Sequence, residues 1–258
     1  MSQMVGTPMG AAPDPYRANG PTRRQRRAAR LERVRVATRS IGEGFITMGV
    51  VILLFVAYQL LWTNLESNRA TDAVTAQVQQ SFIVPVAPVA APVPGAVKPQ
   101  IGDGQGYGLM YIPRLGNDWV KPLIEGSSLD NLKKGITHYT GNAQPGEVGN
   151  FAVAGHRATN GEPFRNLDRM RQGDLVVVET AESWVSYQVT RSIIVQPKDV
   201  WVLDEVPGQP GVEAKEAGLT LTTCNPRWAS YERLIVFGKM VEKRAKAEGP
   251  PAGITAKA

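Results

Sequence analysis

The sequence predicts a mainly β domain, of barrel or sandwich type, carried behind one membrane-spanning helix. Three features predict it. From Gly102 to about Arg244, short runs rich in Val, Ile, Tyr and Thr alternate with Gly and Pro. Helical patterns in that stretch are few and short, which argues against a parallel α/β sheet. Ahead of it, Phe45 to Trp62 reads FITMGVVILLFVAYQLLW, eighteen residues without a charge, near the lower limit for a helix that crosses a bilayer.

The arm before the apolar run carries nine of the chain's Arg residues against Asp14, Glu32 and Glu43, which accounts for the whole net charge of +6. Residues 63–258 are electrically balanced, so the alkaline character gives no groove for a nucleic-acid backbone, and nucleic acid is not an expected partner. A basic arm beside an apolar run puts residues 1–44 in the cytoplasm and everything after Trp62 outside. Tyr58 and Trp62 stand where an interfacial aromatic belt would lie. A cleaved signal peptide is the rival reading. The arm is long for an n-region, and no A-x-A site follows closely, so an uncleaved anchor over 45–62 is expected.

Residues 63–101 read as a linker. Asn64–Gln80 is polar and fits a frayed helix. Phe82–Gln100 holds Pro85, Pro88, Pro92, Pro94 and Pro99, a composition that favours extended polyproline II over helix. At about 3.1 Å per residue such a spacer would hold the domain up to roughly 60 Å from the membrane.

Within the catalytic-domain candidate, 102–244, strands are expected at Tyr107–Ile112, Phe151–Gly155, Leu175–Glu179, Trp184–Val195, Leu219–Thr223 and Leu234–Val241. A helix is expected at Ser128–Lys134, with Ser127 or Ser128 as cap and Gly135 as stop. A shorter one is expected around Pro163–Met170. Residues 245–258 read as a loose tail.

There is one cysteine, Cys224, and there are two histidines, His138 and His156. A single thiol cannot make an internal disulfide, and the Cys₂His₂ and Cys₄ zinc sets are excluded. Such a thiol is either an inert buried residue or a nucleophile. Strand alternation bears on the choice. Leu219, Leu221 and Thr223 share one face, while Thr220, Thr222 and Cys224 share the other, so Cys224 ends a strand on a Thr-lined face. In Phe151–His156, Ala152, Ala154 and His156 point one way, and the small alanines leave space above the sheet. Arg233 opens the run after the Asn225–Glu232 loop, and antiparallel pairing would return it to Cys224. A guanidinium there could favour the thiolate and donate to an oxyanion. A Cys and a distant His brought together by folding suit nucleophilic acyl transfer. His138 follows the Gly135 turn, where a structural or substrate-lining position is expected.

The segments GNFAVAGHR (149–157), TLTTCNP (220–226) and RLIVFG (233–238) resemble the sortases, over roughly residues 105–241. The resemblance implies an eight-stranded β-barrel with an active-site groove on an outer face. It makes Cys224 the nucleophile, His156 the general acid/base, and Arg233 the group that orients substrate and stabilises the oxyanion. Ala154, Thr222 and Thr223, which flank the motif residues, and Tyr139 become candidate substrate-binding positions. The segments HYTGNAQPGEVGNFAVAGHR and LTTCNPRW look most like class E sortases of actinobacteria. That implies sorting signals of LAXTG type beside LPXTG, cleavage between Thr and Gly, and transfer to an amine of a lipid II-type peptidoglycan precursor. Tyr139 could fill the space facing the signal's second position and favour Ala over Pro there; the bland alternative is a Tyr packed on the barrel.

Two features bear on the subclass. Asp14-Pro15-Tyr16 has the composition of the lid found in pilin-polymerising class C enzymes, but it precedes the span and cannot cover Cys224. Glu147, Asp168 and Glu205 form no EF-hand-type loop, so no metal and no cofactor are expected. Two other activities are consistent with the residues: a thiol peptidase that only hydrolyses, and a membrane-tethered wall-binding or scaffold module with a vestigial site.

Overall fold

The computed structural model describes residues 22–83 and 101–255. Asp14-Pro15-Tyr16 and the Pro-rich segment 84–100 lie outside the described residues. Two units are distinguished, 1–56 and 57–258. The first contains the start of helix α1 (Arg23–Ile83), the one helix among the described residues long and apolar enough to cross a membrane. Phe45, Ile46, Leu53 and Leu54 on it are all more than half exposed, apolar surface that a bilayer would cover.

The second unit is an eight-stranded closed barrel. Its strands are β1 (Gly106–Tyr111), β2 (Val120–Glu125), β3 (Ile136–His138), β4 (Gly149–Ala154), β5 (Leu175–Thr180), β6 (Ser183–Val195), β7 (Ala217–Asn225) and β8 (Glu232–Ala245). Around the barrel the order is β1-β2-β3-β4-β7-β8-β6-β5. All six expected strands are present, and closure selects the barrel over the sandwich. The expected Ser128 cap also holds: its hydroxyl accepts from Asn131 N (3.2 Å) at the start of α2 (Leu129–Leu132). At Pro163–Met170 only a 3-10 turn forms, over Leu167–Arg169.

Alternation sorts the barrel's interior as the strands suggest. Phe151, Val153, Leu219 and Leu221 point into the main core and are essentially inaccessible. Two neighbouring pairs, β2/β3 and β4/β7, are parallel. The second matters for function, because parallel neighbours finish at the same rim. Whatever follows β4 therefore lies beside the end of β7. The β7–β8 hairpin then brings the start of β8 back to that rim.

The linker expected over 63–101 needs correction. Asn64–Gln80 is helical and its buried stripe, Ser67, Thr71, Val74 and Val78, docks on the barrel; Val74, Val78 and Phe82 join Leu109, Val177 and Trp184 in a second core. Gly106 permits the close approach, since a Cβ there would stand 2.7 Å from Val74 and 2.9 Å from Val78. Full burial of Val78 alone contributes about 1.5–3 kcal/mol. Ile83 and Ile101 thus belong to the same unit.

The tail needs correction too. β8 runs to Ala245, a 3-10 turn follows at Lys246–Glu248, and Ile254 packs on the second core. Lys246 pairs with Glu179 and lies over the rings of Phe82 (4.0 Å) and Trp184 (4.7 Å). Buried stems and a cation over aromatic faces order residues that composition alone marks as loose.

Candidate active site

Cys224 is the penultimate residue of β7 and is partly exposed. The two faces of β7 are as alternation predicts: Leu221 is inaccessible in the core, and the thiol is outside it. Cys224 pairs directly with Arg233 of β8. On the other side, Ala154 of β4 pairs with Thr222 of β7. Gly155 N donates to Thr222 O (3.2 Å), and Thr223 Oγ1 donates to Gly155 O (2.7 Å). These bonds carry the parallel register past the end of β4, so that His156 comes level with Cys224. At this rim the backbone positions of Cys224 and Arg233 are paired, and His156 follows the end of β4 beside them.

The Arg233 guanidinium is held through Nη1, which donates to Ser230 O and Glu232 O, both at 2.8 Å. Two backbone acceptors fix the fork, so its remaining N–H groups are free to act on a substrate oxygen. Tyr139 stands at the same place. Burial pushes its pKa up, while the charge of Arg233 and the nearby Thr222 hydroxyl oppose that rise. Tyr139, Thr222, Cys224 and Arg233 thus form one neighbourhood. Ala154 is nearly buried at the end of β4, leaving the rim beside His156 without a bulky side chain.

Thr223 is a correction. It is buried on the inner face, and its hydroxyl is spent on Gly155. It ties β7 to β4 and has no group left for a substrate.

His138 does not compete with His156. It is inaccessible, with Nδ1 on Glu125 Oε2 (2.7 Å) and Nε2 on Ala143 O (3.1 Å). Both nitrogens are occupied, and the ring packs against Phe151. It is part of the barrel's interior.

His156 is half-buried. Burial pushes its pKa below the ordinary value near 6.5, and the charge of Lys133 acts in the same direction. Burial thus favours the neutral imidazole. Because the folded pKa is depressed, this group contributes stability that is present above pH 6.5 and is lost as pH falls from there through the folded value. An NMR titration of Cys224→Ala protein is expected to give a His156 midpoint below 6.5.

Arg157 escaped sequence reasoning. It is buried, its Nη1 donates to Cys224 O (3.3 Å) and Asn225 Oδ1 (2.5 Å), and its Nη2 pairs with Asp168 (3.1 Å). It cross-links the segment after His156 to the backbone of the thiol-bearing residue. A chain in which Arg directly follows the candidate His offers a hint, but only the fold gives Arg157 this partner. The β7–β8 loop adds two exposed aromatics, Trp228 and Tyr231, with Arg227 stacked over Trp228 at 4.4 Å.

The sortase domain family matches residues 110–241. Sortase SrtE1 of Streptomyces coelicolor is 41% identical over 237 residues, covering 89% of this chain and 64% of that relative's length. Sortase SrtE2 of the same organism is 32% identical over 88% of this chain and 90% of its own. Among solved structures, sortase E1 of Streptomyces coelicolor with a tripeptide in the active site superposes with a TM-score of 0.54 and 40% identity, over 60% of this chain and 99% of that one. The chain belongs to the sortase family of cysteine transpeptidases, and its likeness to sortases E supports class E within it.

Proposed function

We propose that this sortase cuts a C-terminal LAXTG/LPXTG-type sorting signal between Thr and Gly and joins the new carboxyl end to an amine of a lipid II-type peptidoglycan precursor. The observation that carries the reading is the pairing of Cys224 with Arg233 across β7 and β8, at the rim where His156 follows β4. The tripeptide bound in the active site of the Streptomyces coelicolor relative supports a peptide substrate. The basic arm before the apolar run supports an N-terminus in the cytoplasm and a barrel outside.

In this mechanism His156 takes the thiol proton as Cys224 Sγ attacks the carbonyl carbon of the Thr–Gly bond. Arg233 faces the oxygen that gains charge, with its fork held by the Ser230 and Glu232 carbonyls. As the C–N bond breaks, His156 gives a proton to the departing Gly amine, leaving a thioester on Cys224. His156 then takes a proton from the incoming amine, whose nitrogen attacks the thioester and frees the thiol.

The test is product analysis. Full-length protein in detergent is given an LAXTG peptide with and without a glycine-type or diamino acid amine. Transpeptidation predicts a peptide–amine conjugate that grows with amine concentration. Hydrolysed peptide as the sole product at every amine concentration would leave a thiol peptidase instead.

Tyr139 is assigned to recognition of the signal's second residue, on the ground that its ring is partly buried against Thr222 beside Cys224 and Arg233. Trimming it opens space for Pro. Tyr139→Ala is expected to shift kcat/KM from LAXTG toward LPXTG by roughly tenfold, the order available from one apolar pocket contact. An unchanged ratio would remove Tyr139 from recognition.

A further inference from the structure

The loop between His156 and Phe164 is held from two sides by groups that the mechanism above does not use. From one side comes the docked end of α1. Gly161 N donates to Asn64 Oδ1 (3.3 Å), Asn64 Nδ2 donates to Glu162 Oε1 (3.4 Å), and Ser67 Oγ donates to Asn160 Oδ1 (3.5 Å). Gly161 lies flat enough on the helix that a Cβ there would stand 3.2 Å from Asn68 Oδ1, and its φ of +73° suits glycine. From the other side, Arg227 of the β7–β8 loop pairs with Glu162 (2.8 Å). Between these clamps Asn160 and Glu162 both keep left-handed backbone, φ +53° and +46°, a conformation that costs free energy and persists only where surroundings impose it.

What this clamp presents to the site is the Asn160 amide. With Oδ1 taken by Ser67, Nδ2 is directed at His156 Nε2 (3.4 Å) and at Thr159 Oγ1 (3.2 Å). An N–H on Nε2 requires that nitrogen to be the acceptor, so the neutral ring carries its proton on Nδ1.

We propose that Asn160 is a positioning residue that fixes the orientation and tautomer of His156, and that Asn64 and Ser67 of α1 hold Asn160 in place. The barrel-docked end of α1 is then part of the active-site scaffold as well as a continuation of the membrane helix. The assignment rests on the reading of His156 as acid/base. The charged group that acts on His156 is Lys133, which caps α2 and pairs with Asp130 at 2.8 Å; Lys134 and Glu66 of α1 line the same cavity as Asn160, Glu162 of the loop pairs with Arg227 and Arg165, and Arg233 lies across the rim. None of these is bonded to the ring; Asn160 is.

The test uses full-length protein in detergent with ¹⁵N-labelled histidine. His156 resonances are identified by their loss in His156→Gln. Wild type is expected to show the Nδ1–H form of His156 at pH 7.5. Asn160→Ala should give a mixture of tautomers and lower kcat about tenfold, with KM for the peptide within about twofold, because orientation is lost and binding is not. Ser67→Ala should move both readouts the same way by less. Asn160→Asp puts a carboxylate against the ring, favours the imidazolium, and should raise the His156 midpoint above wild type. Unchanged tautomer and kcat in both Asn160→Ala and Ser67→Ala would overturn the proposal. If Asn160→Ala loses its melting transition, Ser67→Ala and Asn160→Asp decide alone. Persistent transpeptidation by Cys224→Ala would sink the functional reading instead, while the tautomer measurement would still decide Asn160.

Discussion

Cys224→Ala is expected to abolish transpeptidation and to leave no covalent peptide adduct, while the melting temperature stays close to wild type. The argument is local. The thiol sits at the end of β7, outside the interior packed by Leu219 and Leu221, so removing sulfur opens no core cavity. The described residues hold one cysteine, and no other thiol can replace it. Water is a far weaker nucleophile than a thiol, and without a thioester there is nothing for an amine to resolve. Near-equal activity of Cys224→Ala and wild type in a transpeptidation assay would return the protein to the alternative of a tethered module with a vestigial site.

Arg233→Ala has the second largest expected effect, a fall of about 10²–10³ in kcat, the usual cost of losing one oxyanion donor. Arg233→Lys should recover little of it. Two backbone carbonyls grip a planar fork, and an ammonium cannot hold both of them and still reach forward in the same geometry. The measurement is kcat and KM on one LAXTG peptide for all three proteins. A loss confined to KM would make Arg233 a docking residue and remove it from transition-state stabilisation. Because Cys224 and Arg233 are direct cross-strand partners, the two substitutions should be far from additive.

How much of this was legible in the sequence depends on which signal each part leaves. The core strands announce themselves through β-branched residues and Gly/Pro punctuation, and alternation on β7 was enough to put Cys224 outside the leucine face. β2 and β3 left weaker signals. β2 contains Pro122, a residue that argues against a strand, and β3 is three residues long. The docked end of α1 was misread for a physical reason. Its buried stripe begins with Ser67 and Thr71, small polar residues that suit close contact with the barrel but carry no hydrophobic periodicity. The same limit hid Arg157 and Asn160, whose roles come from partners distant in sequence, Asp168, Cys224 and Ser67. Cys224, His156 and Arg233 are singled out by the resemblance to sortases together with their places at strand ends; the contacts around them leave no such signal, because loops and a helix place those.

The central claim is that Cys224 carries the acyl group of the severed signal. The most direct measurement is intact-protein and peptide mass spectrometry of full-length enzyme mixed with an LAXTG peptide and no amine. The expected result is a mass increase equal to the peptide up to its Thr, mapped to the fragment holding Cys224, removed by hydroxylamine and missing in Cys224→Ala. Signal cleavage with the adduct elsewhere, or with none at any time point while Cys224→Ala cleaves equally well, would contradict it.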